Sequence, residues 1–138
     1  MSAYSQGIRL DPSNSGAYNN RGIAKDALNQ HEEAIKDYDQ AIRLDPNYAF
    51  AYDNRGNAKN TLKQYEEAIK DCDQAIRLDS NNTFAHCNRG IAKYKLNRFE
   101  EARSDLQTAL RLAQEVGNEK VTTTITEILR KIDNPETK

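Results

Sequence analysis

The chain has 138 residues, enough for one ordinary domain, and a formal net charge of −1 at pH 7. That balance gives no argument for nucleic acid or an anionic membrane surface, both of which reward a basic face. Aromatic residues make up 7%, there is no Trp and 30% of residues are charged, a poor supply for one central core but sufficient for stacked helices that each bury a stripe.

The chain opens on YSQGIRLDP at residues 4–12, which matches YDQAIRLDP at residues 38–46 nearly position for position. It is therefore expected to begin inside the second helix of an earlier unit, a partial repeat over residues 1–14, as an excerpt of a longer array or a frayed half-unit. Tyr4, Ile8 and Leu10 would form its apolar edge.

Three longer units follow, at residues 15–48, 49–82 and 83–116. Residues 17–50 and 51–84 agree at about 24 of 34 positions, and a fixed period of that length signals a stacked array of two-helix units. First helices are expected near 17–28, 51–62 and 85–96, and second helices near 32–44, 66–78 and 100–112. In the second helix Ala34, Ile35, Tyr38, Ala41 and Ile42 recur at helical spacing as one apolar stripe. Asp45-Pro46 stops it, because Pro cannot continue a helix and disfavours the α conformation before it. Asn47 and Asn81 are expected as caps of the next helices. Asn29 and Asn97 fall between the helices of a unit, where a left-handed residue is needed, and Lys63 holds the same place as a poorer choice.

After Leu112 no Asp-Pro follows. Val121, Ile125, Ile128, Leu129 and Ile132 form a last amphipathic stripe, ended by Asn134-Pro135. Residues 117–134 are expected to be a capping helix with a polar outer face.

These units resemble the tetratricopeptide repeat (TPR) family, with repeats of an Asn-Arg-Gly (NRG) type. The small residues that the family places at positions eight, twenty and twenty-seven are here Gly22, Gly56 and Gly90, then Ala34, Ala68 and Ala102, then Ala41, Ala75 and Ala109. A mid-helix Gly costs about 1 kcal/mol against Ala, so three in phase also argue directly for close helix approach. The resemblance implies an all-α, right-handed α-solenoid of helix-turn-helix units. The sequence departs from the family where Arg21, Arg55 and Arg89 replace an apolar residue, and where Lys25, Lys59 and Lys93 replace one that is often aromatic. Each Arg travels with Asp37, Asp71 or Asp105 in the second helix, so three internal bidentate Arg–Asp pairs are expected.

Function is expected in the groove lined by the first helices. Asn20, Asn54 and Asn88 stand at one phase of every unit, and a row of amides can match the N–H and C=O of an extended chain. The resemblance to TPR proteins that use an asparagine ladder supports that reading, with local bonding between neighbouring helices as the alternative. Asn57, Ile23 and Ile91 would fill the middle. Asp26 and Asp53 would make the early part acidic, and Tyr94, Lys95 and Arg98 would make the late part aromatic and basic. Phe50 and Phe84 are read as packing between units, with the groove as the alternative. TPR domains that hold the acidic tails of Hsp70 and Hsp90 use a clamp of Lys, Asn and Arg. Asn57 and Asn88 match its asparagines, but Asp53 and Phe84 stand where Lys is required, so the clamp is incomplete and such tails are not expected.

The chain is therefore expected to be a protein-interaction module or scaffold for a protein or peptide partner, with no nucleic acid, membrane or cofactor. A competing expectation is self-association through the chain ends, or a targeting segment of a longer protein. Catalysis is not expected, since no Gly-rich phosphate loop is present and the carboxylates are spread at repeat phase. His31 and His86 read as packing substitutes for aromatic residues. His86, Cys87 and Cys72 lack zinc-site spacing, so no metal is expected. Two cysteines without a disulfide pattern, no signal peptide and no spanning run lead to a cytoplasmic expectation.

Overall fold

A computed structural model describes residues 13–134. The expected half-unit over 1–14, with its edge of Tyr4, Ile8 and Leu10, and Pro135 lie largely or wholly outside the described residues. Within them are seven helices and no strand: α1 (Ser15–Ala27), α2 (His31–Leu44), α3 (Ala49–Thr61), α4 (Tyr65–Leu78), α5 (Thr83–Lys95), α6 (Phe99–Glu115) and α7 (Glu119–Asp133). Each first helix starts two residues earlier than expected, and each second helix one residue earlier. Each helix packs on the next, and α1, α3, α5 and α7 also touch in series, whereas α2, α4 and α6 do not touch one another. The first helices therefore crowd onto one side of an all-α helical-repeat solenoid.

The turns inside each unit are built on left-handed residues. Asn29, Lys63 and Asn97 have φ of 62°, 63° and 64°. The following N–H then reaches back to the helix end, as Gln30 N does to Lys25 O at 2.8 Å. Lys63 adopts this conformation without an Asn side chain, because the bonds from Lys63 N to Asn60 O and from Gln64 N to Lys59 O hold it.

The expected caps are corrected. Asn14 and Asn82, not Asn81, cap α1 and α5 by accepting from Ala17 N and Ala85 N. Tyr48, not Asn47, precedes α3 and makes no side-chain cap bond. Asn47 and Asn81 instead donate their backbone N–H to Asp45 and Asp79 side chains in Asx turns.

Close helix approach occurs at the glycines. A Cβ on Gly22 would lie 2.5 Å from the Tyr38 ring, and one on Gly90 would lie 2.7 Å from Leu106 Cγ. At Gly56 the facing atom is Cys72 Sγ at 3.1 Å, a gentler contact. The second helices thus lean on the first through the residue at one phase, Tyr38, Cys72 or Leu106, all fully buried. The final stripe packs as expected: Ile125 and Ile132 are buried against Cys87, Ala102, Leu106 and Ala109.

The three Arg–Asp pairs form. Arg21, Arg55 and Arg89 each donate Nε and Nη2 to both oxygens of Asp37, Asp71 or Asp105, at 2.9 and 2.7 Å. Lys25, Lys59 and Lys93, one helical turn on, approach the same carboxylates at 3.0 Å. Two basic residues per unit thus neutralise an aspartate that is about 95% buried. Arg55 also bonds Asp39 and Arg89 bonds Asp73, so one guanidinium ties its own unit to the preceding one. These charges are structural, which explains why Arg and Lys replace the family's apolar residues at these phases.

Candidate functional site

The first helices enclose a groove of about 510 Å³ across α1, α3 and α5. Of the residues expected there, Asn20, Asn54, Asn88, Asn57, Asp53 and Ile23 line it together. Four residues contribute in addition: Asn19, Tyr48, Phe50 and Phe84. Phe50 and Phe84 are 59% and 51% exposed, so packing between units is not their role. Their rings instead give the groove apolar walls.

The other expected residues lie elsewhere. Ile91 and Tyr94 are partly buried against the cluster that α7 completes, and Tyr94 meets Phe99 edge-on at 5.7 Å. Arg98 is drawn to Glu66. Lys95 is exposed near the end of α5. None of these four lines the groove of about 510 Å³, so its late part is not aromatic and basic as expected.

The acidic expectation for the early part also changes. Asp26 accepts from the Tyr38 hydroxyl and meets His31 Nδ1 at 2.8 Å, so it is occupied inside its own unit. His31 is therefore a polar partner and not a passive packing substitute. His86 does stand in for an aromatic residue, but through its polar end. Its Nε2 lies 2.9 Å from Ser80 O, where Tyr52 OH donates to Pro46 O one unit earlier.

The asparagines are arranged in two inter-unit bridges. Asn54 Nδ2 donates to Asn19 Oδ1 at 3.0 Å, and Asn19 Nδ2 donates in turn to Tyr48 OH at 3.3 Å. One unit later Asn88 Nδ2 donates to Asp53 Oδ1 at 2.8 Å. The amide N–H groups of Asn54 and Asn88 thus serve the fold, while among the described residues their oxygens accept no hydrogen bond. Among the described residues the Asn20 and Asn57 side chains make none at all. The row therefore presents acceptors at its bridged members and full amides at Asn20 and Asn57.

Asp53 is the one ionisable carboxylate or base among the lining residues, and it is 4% exposed. Burial pushes its carboxyl up to about 6, opposed by the bond from Asn88. Cys72 and Cys87 are buried, unpaired thiols, and burial raises the pKa of both, Cys87 to about 11. Neither is a reactive thiolate at neutral pH. Among the described residues no three His, Cys, Asp or Glu side chains are placed to hold a metal ion, and no helix is long and apolar enough to cross a membrane.

A smaller cleft of about 420 Å³ adjoins the groove at Phe84 and runs between α5 and the start of α7, with Cys87 and Val121 on its walls. Sequence reasoning missed Asn19 and Tyr48. Asn19, Asp53 and Cys87 occupy one phase of three successive units, and because they differ in type no repeated motif marked them.

Family models described as tetratricopeptide repeat match residues 15–48, 37–70 and 83–115, and one described as TPR repeat matches 56–97. Among solved structures the chain is similar to the Arabidopsis OM64 TPR domain at 33% identity, covering 85% of this chain and 94% of that one with a TM-score of 0.76. It is also similar to the first TPR of Spaghetti (RPAP3) bound to the HSP90 peptide SRMEEVD, at 29% identity, 90% and 94% coverage and a TM-score of 0.77. The second TPR domain of human RPAP3 in complex with the HSP70 peptide SGPTIEEVD is 36% identical over 80% of this chain and 91% of that one, with a TM-score of 0.70. No curated protein sequence matches.

Proposed function

The chain belongs to the tetratricopeptide repeat family, and from that premise we propose that it is a protein-interaction module that holds an extended peptide segment of a partner in the groove of α1, α3 and α5. The observation that carries this reading is the row of side-chain amides along one groove, with oxygens at Asn54 and Asn88 and whole amides at Asn20 and Asn57 left without internal partners. Such groups match the N–H and C=O of an extended backbone, and the Phe50 and Phe84 rings supply apolar contact beside them. The similar RPAP3 domains carry peptides, which supports a peptide as the occupant. Their peptides end in acidic residues. This groove has no Lys or Arg among its lining residues and has Asp53 instead, so an acidic tail is not the ligand we assign to it. The module acts as a scaffold and is given no chemistry of its own.

The test is a display selection of random peptides on the wild type and on Asn20→Ala/Asn57→Ala, both checked for helicity and melting temperature. These two side chains hold nothing inside the fold, so the variant should melt like the wild type. Selected peptides should bind it about tenfold more weakly, the size of one or two lost hydrogen bonds. Equal binding to both proteins would remove the groove from consideration.

A further inference from the structure

Asp53 is out of place in a purely structural account. It lies 4% exposed on α3 and lines the groove. Its Oδ1 accepts from Asn88, while Oδ2 receives no hydrogen bond and no cation among the described residues. Among the described residues every other carboxylate buried to this degree, Asp37, Asp71 and Asp105, sits between an Arg and a Lys.

The preceding junction shows that the fold does not need a charge here. Asn19 occupies the same phase and is buried to the same 4%, yet it is neutral and satisfied on both sides, by Asn54 and by the Tyr48 hydroxyl. An Asn at position 53 would accept from Asn88 through the same side-chain oxygen. One unit after Tyr48 stands Asn82, 5% exposed, whose oxygen is committed to capping α5 and whose Nδ2 has no partner. The second junction therefore supplies no hydroxyl to the carboxylate and leaves it open toward the groove.

We infer that this junction seats the ammonium or guanidinium of a lysine or arginine carried by the extended partner peptide, donating to Asp53 while its methylene stem lies along the Phe50 and Phe84 rings. The chemistry matches on both counts. A buried carboxylate lacking a counter-charge gains most from a cationic donor, and long basic side chains lay their stems on apolar or aromatic surface. The groups that face Asp53 from the packed helices, Tyr38 on α2, Cys72 on α4 and Cys87 on α5, are not cations, so among the described residues no ion pair fills this role. Burial holding the carboxyl up to about 6 leaves it ionised at neutral pH and ready for such a partner.

This inference rests on the groove being the binding site, and the experiment separates the two. The probes are acetylated, amidated heptapeptide pools, uncharged at all positions except a centre fixed as Lys, norleucine or Glu. Binding to the wild type and to Asp53→Asn is read by fluorescence anisotropy. The Lys-centred pool should bind the wild type about tenfold more tightly than the norleucine pool, as expected for one charge-assisted hydrogen bond, and the Glu pool least. In Asp53→Asn the Lys-to-norleucine ratio should collapse to about one. Equal Lys and norleucine binding in the wild type, or a Lys preference that survives Asp53→Asn, overturns the basic-residue assignment. Loss of norleucine-pool binding in Asn20→Ala/Asn57→Ala would still stand for the groove. If no pool binds the wild type, both readings fall.

Discussion

The two junctions between units are built on one plan and differ on the groove side at two positions, where Asn19 and Tyr48 of the first give way to Asp53 and Asn82 in the second. On the side of the second helices they are the same: Arg55 reaches back to Asp39, and Arg89 to Asp73, both at 2.9 Å. On the groove side the first junction joins amide to amide and closes on a hydroxyl, through Asn54, Asn19 and Tyr48. The second joins an amide to a buried carboxylate, through Asn88 and Asp53, and stays open. Repetition therefore maintains the scaffold, and departure from repetition marks the place where the groove differs along its length. A buried neutral acceptor costs little when bonded, whereas a buried anion without a cation is held at an energetic loss unless something binds it.

The largest effect should come from the shared side of the junctions. Arg55→Ala leaves Asp71 buried with Lys59 alone, and should cost about 3 kcal/mol in urea unfolding. Arg89→Ala should cost a similar amount, since its contacts repeat those of Arg55. A clear inequality between them would show that the junctions differ on this side too. Reversing the pair as Arg55→Asp/Asp71→Arg should recover part of the loss in a double-mutant cycle.

Next in size is Asp53→Asn, which makes the second junction resemble the first. The folded protein holds the Asp53 carboxyl at about 6 against an ordinary value of 3.8, so the native state binds this proton more tightly than the unfolded chain. The group's penalty is absent below about pH 4, grows as pH rises through that window, and is complete above about pH 6. Facing groups on neighbouring helices, Tyr38, Cys72 and Cys87, do not change charge in that range. The variant should exceed the wild type by roughly 2–3 kcal/mol at pH 7, with the difference vanishing near pH 4. A pH-independent difference would mean that Asp53 is not buried as a carboxylate.

The smallest contrast is between Asn54→Ala and Asn88→Ala. The first removes a neutral bond and should cost about 1 kcal/mol. The second removes the one donor to a buried anion and should cost about 2 kcal/mol at pH 7, falling toward the first value near pH 4. Melting curves at the two pH values decide it.

Much of this organisation is legible in the chain because repetition acts as an internal control. Gly22, Gly56 and Gly90 at one phase implied close packing, and each meets a buried side chain across the helix pair. The in-phase Arg and Asp residues implied ion pairs, since a second charge recurring with the first needs a partner. The same control hid what does not repeat. Asn19, Asp53 and Cys87 share a phase but not a chemistry, so nothing marked Asn19 as the acceptor for Asn54. Asp26 and Asp53 look alike in the sequence, yet one is spent on Tyr38 and His31 while the other faces the groove.

By itself the sequence determined the period, the helix pairs, the left-handed turns and the structural status of the repeated Arg and Asp residues, while the Lys beside each pair emerged only in the structure. These follow from local backbone preference and from periodic burial, which act over one or two helical turns. Only the tertiary structure decided which amides are spent on bridges, that Phe50 and Phe84 line a groove, that Ile91 and Tyr94 turn toward the last helix, and that Asp53 is buried without a cation among the described residues. Those outcomes depend on how neighbouring units stack, with donors and acceptors 35 residues apart meeting across helices. Hydrogen-bond partners and burial are properties of that meeting, not of either residue alone.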